Sequence, residues 1–89
     1  MSPLTLSDQR DIVLRYIPTA LKEAERVLHS HELSKMIASR LSTGDEVFGD
    51  KMFHLPPMEL HHEFVEELAD ALLYLCAKLY TVHVGFGAQ

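Results

Sequence analysis

Five carboxylates lie in a stretch of the sequence that contains no lysine or arginine. The stretch lies between Lys51 and Lys78 and has the apolar spacing of a long helix. At about 100° per residue, all five fall within an arc of roughly 100° on that helix. Like charges one turn apart destabilise a helix slightly, so we expect a metal ion, a basic group or water to compensate them. These residues are Glu59, Glu63, Glu66, Glu67 and Asp70.

Four of these side chains have the spacing to bind one divalent cation. Carboxylates one turn apart on a helix can reach the same ion, and Mg²⁺ takes oxygen ligands. Because Mg²⁺ keeps several waters and leaves positions for phosphate oxygens, such clusters are typical of phosphate chemistry. The competing interpretation is a solvated acidic face, helped at its first turn by the helix dipole. The predicted ligands, and predicted catalytic residues, are Glu63, Glu66, Glu67 and Asp70.

The same helix face continues with residues suited to binding a nucleotide. Tyr74 has an aromatic ring that could line the pocket of a base, and Lys78 has a positive charge for the phosphates. Lys51, which precedes the helix, is another candidate cation for the phosphates. Phe48 and Phe53 are possible walls of a base pocket, although core packing is the commoner role of such residues.

The segment from Glu66 to Leu75, with the sequence EELADALLYL, resembles the second metal-binding helix of the MazG-like all-α nucleoside triphosphate pyrophosphohydrolases. Members of that family carry an EExxD step followed by apolar residues, and small phage-type members are similar to this chain in size. The resemblance implies that Glu67 and Asp70 are metal ligands, with Glu63 or Glu66 contributing to the same site. It also implies Mg²⁺ as the cofactor, a (deoxy)nucleoside triphosphate as the substrate, release of pyrophosphate and a homo-oligomer.

The preceding helix departs from the family pattern, which usually has an ExxE step there. Counting from Glu23, Arg26 stands where the second glutamate is expected. Either Glu59 and Glu63 substitute for that step on the same helix, or the metal site is incomplete. The second case predicts a non-catalytic helical module that docks a basic partner, or sequesters a nucleotide, through its acidic face.

The sequence also contains six histidines and a single cysteine. Glu59-x-x-His62 matches one step of the di-iron carboxylate bundles, but those sites need that step on two helices. Histidines on polar faces near helix ends are the favoured interpretation. Cys76 lies on the apolar side of the acidic helix, which predicts a small buried hydrophobe rather than a nucleophile.

The overall composition narrows the classes of function. A chain of 89 residues, 47% of them apolar, is predicted to be one small domain over residues 1–89. A net charge of −5 argues against binding to the nucleic-acid backbone, which needs a basic face. The sequence has no long apolar run and no secretory signal pattern, which predicts a cytoplasmic protein that does not bind membranes.

Apolar periodicity predicts an all-α bundle of three to four helices with a long acidic C-terminal helix. The helices are expected over about 8–17, 19–42 and 57–82, with a loop over 43–56 packed on the core. Three amphipathic helices leave apolar surface that so small a monomer covers poorly. We therefore expect a dimer or tetramer.

Local signals suggest how these helices begin and end. Ser7 is the predicted cap of the first helix, and Pro18 separates it from the second. Gly44 is predicted to end the second helix in a left-handed conformation. A further break near His29 is open at this stage, because Ser30 could cap a new helix and one continuous helix is equally allowed.

Overall fold

The computed structural model describes residues 2–85, and their all-α structure confirms the predicted fold class. Three long helices and one short 3₁₀ helix follow one another along the chain, and no strand occurs within these residues. The helices are α1 at Leu6–Leu28, α2 at His31–Phe48, the 3₁₀ helix at Lys51–His54 and α3 at Pro57–His83.

Helix α1 begins with a reciprocal cap that the sequence analysis misplaced. The backbone N–H of Asp8 donates to the Thr5 hydroxyl over 3.0 Å, and the backbone N–H of Thr5 donates to the Asp8 carboxylate over 3.0 Å. This arrangement satisfies two backbone donors at once, whereas a cap at Ser7 would satisfy only one. The predicted cap at Ser7 is therefore wrong, and the helix begins earlier, at Leu6.

Helix α1 also runs without interruption through Pro18, so the predicted separation of helices over 8–17 and 19–42 is wrong. Proline removes one backbone hydrogen bond and disfavours a helix interior by about 3 kcal/mol. Packing opposes that cost, because Ile17 is half-buried just before the proline and Ala20 is fully buried just after it. Tertiary contacts of the flanking turns therefore override the local preference.

The chain breaks instead at His29 and Ser30, which settles the question that the sequence left open. The Ser30 hydroxyl accepts a hydrogen bond from the backbone N–H of Leu33 over 3.1 Å and donates to the carbonyl of Val27 over 2.7 Å. One side chain thus caps the start of α2 and binds the end of α1.

Helix α2 extends past Gly44, so the predicted end at Gly44 is wrong and the loop over 43–56 is shorter than expected. The helix ends at Gly49, whose φ of 63° and ψ of −140° belong to a region that is open to glycine. The aromatic and aliphatic side chains of the segment 43–56 that were expected to pack on the core are exposed, which corrects the prediction of a packed loop. These side chains are Val47 and Phe48 at the end of α2, and Met52, Phe53 and Leu55 after it.

Helix α3 begins at Pro57, where a proline is well tolerated because the first helical N–H has no partner within the helix. Its carboxyl-terminal half packs against α1. Tyr16 and His83 bring their rings to a centroid separation of 6.2 Å, so the first half of α1 meets the end of α3. Helix α3 ends at His83, so Ala20, which follows Tyr16 and is buried, packs on earlier residues of α3 and the two helices run antiparallel. We call this antiparallel pair of α1 and α3, which α2 separates in the sequence, the hairpin. Its core contains the two fully buried residues of the described chain, Ala20 and Cys76.

Candidate functional site

The acidic residues predicted to bind a metal all lie on the amino-terminal part of α3. Every residue from 61 to 70 is exposed to solvent, so these carboxylates are freely accessible. The helix alone positions them, because no other element of the described chain buries this part of α3. The site is therefore a surface of one helix rather than a cleft between helices.

Three of the predicted ligands share one face of α3 and form no ion pair within residues 2–85. They are Glu63, Glu67 and Asp70, and the ion pairs of the described residues involve other carboxylates. We call this surface the acidic face. Its carboxylates are exposed and have no ion-pair partner among residues 2–85, so the face can attract a cation or a basic partner.

Glu66, the fourth predicted ligand, differs from the other three. His62 Nε2 lies 2.9 Å from Glu66 Oε1, one helical turn apart. Sequence reasoning had associated His62 with Glu59 instead, although the spacing of His62 and Glu66 is the ordinary one for a helical pair. Both side chains are more than half exposed, so the pair contributes little to stability.

The acidic face ends at a shallow depression in α3. Its lining residues are Asp70, Leu73, Tyr74 and Ala77, and its volume is about 450 Å³. Tyr74 is 80% exposed, so its ring is available for stacking but has no second wall within the described chain. A flat ligand could lie against this surface but would stay open to water on its other side.

The two predicted phosphate-binding lysines are not brought to this depression. Lys78 is exposed on α3, one turn beyond Tyr74, and does not line it. Lys51 lies on the 3₁₀ helix, a separate element, and is also exposed. A single copy of the chain thus places Asp70 and Tyr74 together and leaves both lysines outside the depression.

The donor atoms of the acidic face suit Mg²⁺, because hard divalent cations prefer carboxylate oxygens. Within residues 2–85, however, no three histidine, cysteine, aspartate or glutamate side chains are grouped closely enough to hold a metal ion. The carboxylate oxygens therefore suit Mg²⁺, but in one copy they are not close enough together to coordinate a single ion. The described residues likewise contain no grouped ligand set for a di-iron site.

Cys76 is fully buried in the hairpin, which confirms its predicted role as a small hydrophobe. Burial raises the pKa of the Cys76 thiol, because the thiolate would lose its hydration there. The neutral thiol is therefore favoured, and this residue is not suited to nucleophilic catalysis.

A second depression, of about 440 Å³, lies further along α3, at its carboxyl-terminal end, and the sequence did not predict it. It lies where the early part of α1 meets the end of α3, and Tyr16 and His83 are in ring contact beside it. The widely spaced aromatic residues could have suggested it, but only the antiparallel pairing brings them together. Its lining residues are Asp11, Ile12, Arg15, Tyr16, Tyr80, His83 and Val84.

Comparisons of the chain with protein-family models, with curated proteins and with solved structures find no match. In the part of the chain from 2 to 85, none of the helices has the length and apolar character needed to cross a membrane.

Proposed function

We propose that this protein is a Mg²⁺-dependent nucleoside triphosphate pyrophosphohydrolase of the MazG-like type. The observation that supports the proposal is the exposed acidic face, on which Glu67 and Asp70 keep the ExxD spacing and form no ion pair within residues 2–85. The substrate is a (deoxy)nucleoside triphosphate, and the products are the nucleoside monophosphate and pyrophosphate. Such substrates are cytoplasmic metabolites, so the proposal places the protein in the cytoplasm.

In this proposal the carboxylates of the acidic face hold the metal, with Glu67 and Asp70 as ligands and Glu63 or Glu66 contributing. Mg²⁺ held there would neutralise charge on the phosphates and favour attack by water. Hydrolysis would consume one water: its oxygen bonds to the α-phosphorus, the bond from that phosphorus to the α,β-bridging oxygen breaks, pyrophosphate leaves with that oxygen, and the proton of the water is released to solvent. Tyr74 stacks on the base, beside Leu73 in the depression.

The positive charges for the phosphates come from Lys51 and Lys78 in this proposal. Neither lines the depression in one copy of the chain. The depression is also open, whereas nucleotide sites bury most of their ligand. We therefore include a homo-oligomer, a dimer or a tetramer, as part of the proposed function, with a second copy supplying the missing walls and charges.

Thermal unfolding with a panel of nucleoside triphosphates, with and without Mg²⁺, tests this function. We expect a shift in Tm only when metal and nucleotide are both present, because the carboxylates would hold the metal and the metal would neutralise the charge of the phosphates. Glu67→Gln and Asp70→Asn should abolish the shift and the release of pyrophosphate, while leaving the helical content unchanged. Glu25→Gln, a matched change on the exposed side of α1, should leave both intact. Failure of every nucleotide to shift the Tm of the wild type would contradict the proposal.

A second candidate function is a non-catalytic interaction module, favoured by the absence of a grouped ligand set within residues 2–85. In this candidate the acidic face docks a basic partner or sequesters a nucleotide without hydrolysing it. Binding of the nucleotide without release of pyrophosphate, lost in Glu67→Gln, would favour sequestration. Binding of a basic protein lost in the same variant, with no response to nucleotide, would favour docking.

A further inference from the structure

Helix α2 has an apolar face that the described chain leaves mostly uncovered, with only Leu33 half-buried near the start of the helix. At about 100° per residue, its apolar side chains share one side of the helix, opposite Lys35 and Glu46. Ile37, at the centre of this side, is 59% exposed. We call this surface the α2 stripe, and its residues are Leu33, Met36, Ile37, Leu41, Val47 and Phe48.

The amino-terminal half of α3 has a second uncovered apolar face. Helix α1 packs against the carboxyl-terminal half of α3, where Cys76 is buried and Leu72, Leu75 and Leu79 are half-buried. The half before residue 70 extends beyond that contact, and α2 does not pack on it closely enough to bury it. Its exposed apolar side chains are Phe64, Val65 and Leu68.

The solvent-accessible surface area of the chain exceeds that of a compact monomer of the same mass. The chain exposes 7924 Å², while a folded monomer of its mass exposes about 5,300 Å². Its radius of gyration is 16.4 Å, against about 12 Å for a compact domain of this length. The excess of about 2,600 Å² is larger than the roughly 800 Å² that each partner buries in a standard protein interface.

The charges beside the two uncovered faces are complementary. Arg40 projects from within the arc of the α2 stripe and forms no ion pair within residues 2–85. On α3, Glu67 lies about 20° from Leu60 and about 60° from Phe64 around the helix axis, at the border of the apolar face. It is likewise without an ion pair in the described chain. Burial of a cation within an apolar stripe is costly unless a carboxylate accompanies it.

We propose that the α2 stripe docks on the amino-terminal half of α3 of a second copy of this chain, with Arg40 of one copy paired to Glu67 of the other. A two-fold axis makes this contact twice, so both uncovered faces of both copies are buried in one dimer. The contact brings the Arg40 guanidinium of the second copy to the border of the acidic face, where it competes with a metal ion for the Glu67 carboxylate. The inference is therefore independent of the proposed hydrolysis, and its readout is self-association.

Sedimentation equilibrium of wild type and charge-reversal variants tests the dimer. Arg40→Glu and Glu67→Arg should each weaken self-association by about 10-fold or more, because each creates two like-charged contacts. An equimolar mixture of the two variants should recover the wild-type affinity, since both contacts of the mixed dimer then join opposite charges. Lys35→Glu, the same change of charge on the opposite side of α2, should leave the affinity unchanged. Circular dichroism checks that all variants keep the same helical content.

Three outcomes would overturn the proposal. One is a wild type that stays monomeric at all concentrations tested. Another is a mixture that fails to recover association. The third is recovery of the wild-type association by the double variant Arg40→Glu/Glu67→Arg but not by the mixture of single variants. The ion pair would then lie within one copy, with α2 packed on its own α3. A wild type that associates as predicted, with recovery in the mixture of charge-reversal variants, but that binds no nucleotide would count against the proposed function alone.

Discussion

The hairpin of α1 and α3 and the helix α2 are both amphipathic, but they differ in what their apolar faces touch. The hairpin contains both of the fully buried residues of the described chain and the ring contact of Tyr16 with His83. Helix α2 buries none of its residues. An apolar stripe on a helix therefore specifies a face to be covered without specifying which element covers it.

This difference should divide the molecule into regions of unequal stability. Regions with few buried contacts open more easily than the core, and the free energy of opening reflects the local packing. The hairpin should therefore carry most of the free energy of folding, while α2 depends on its caps and on whatever covers its stripe. Three perturbations test that contrast, in order of decreasing effect.

The largest effect is expected from a charge placed in the hairpin. Ala20→Asp puts a carboxylate at a position with no exposure, and an unpaired buried charge destabilises by about 3–5 kcal/mol. Ala38→Asp makes the same change on an exposed position of α2 and should cost about 0.7 kcal/mol or less, the difference in helix propensity. Urea unfolding followed by circular dichroism measures both. Equal losses at the two positions would contradict the contrast between hairpin and α2.

A smaller and more local effect is expected from the cap between α1 and α2. Ser30→Ala removes the hydroxyl that accepts from the N–H of Leu33, which should cost about 1 kcal/mol. Because α2 makes few contacts, the loss should appear as faster amide exchange in α2 and leave the hairpin protected. Hydrogen exchange followed by mass spectrometry measures this, with Ser39→Ala inside α2 as the control. Uniform loss of protection in all helices would contradict it.

The smallest effect concerns the cap of α1 in acid. The backbone N–H of Thr5, and then its side chain, hold the pKa of Asp8 below its ordinary value. A lowered pKa in the folded state adds stability that is present above about pH 4 and disappears as the pH falls through the folded pKa. The difference in Tm between wild type and Asp8→Asn should therefore be largest near neutral pH and vanish in acid. Asp11→Asn, which removes a carboxylate without a capping bond, is the control, and an acid-dependent difference of the same size there would contradict the assignment.

Much of the fold followed from local signals in the sequence. The bounds of α3 came within one residue of the prediction, and the burial of Cys76 followed from its place on the apolar side. The errors arose where two local signals competed or where tertiary packing decided. Thr5 rather than Ser7 caps α1 because the Thr5 cap is reciprocal. Pro18 does not end α1 because Ile17 before it is half-buried and Ala20 after it is fully buried.

The candidate site was predictable only in part. Helical spacing was enough to place Glu63, Glu67 and Asp70 on one exposed face, because that geometry depends on α3 alone. Helical spacing is also sufficient to predict the pair of His62 and Glu66, which are four residues apart. The prediction of metal ligands assigned Glu66 to a metal instead. What lies opposite the face depends on contacts beyond one helix, and periodicity contains no information about them.

Pro18 gives α1 a property that neither its cap nor its apolar stripe would suggest. The carbonyl of Leu14, which an uninterrupted helix would pair with the N–H four residues on, has no such donor to receive from. Both Leu14 and Pro18 face solvent, so water can satisfy that carbonyl. The helix can therefore bend at this turn without breaking another backbone bond. We therefore expect α1 to bend more easily at this turn than elsewhere, with the packing of its inner side on α3 keeping it straight.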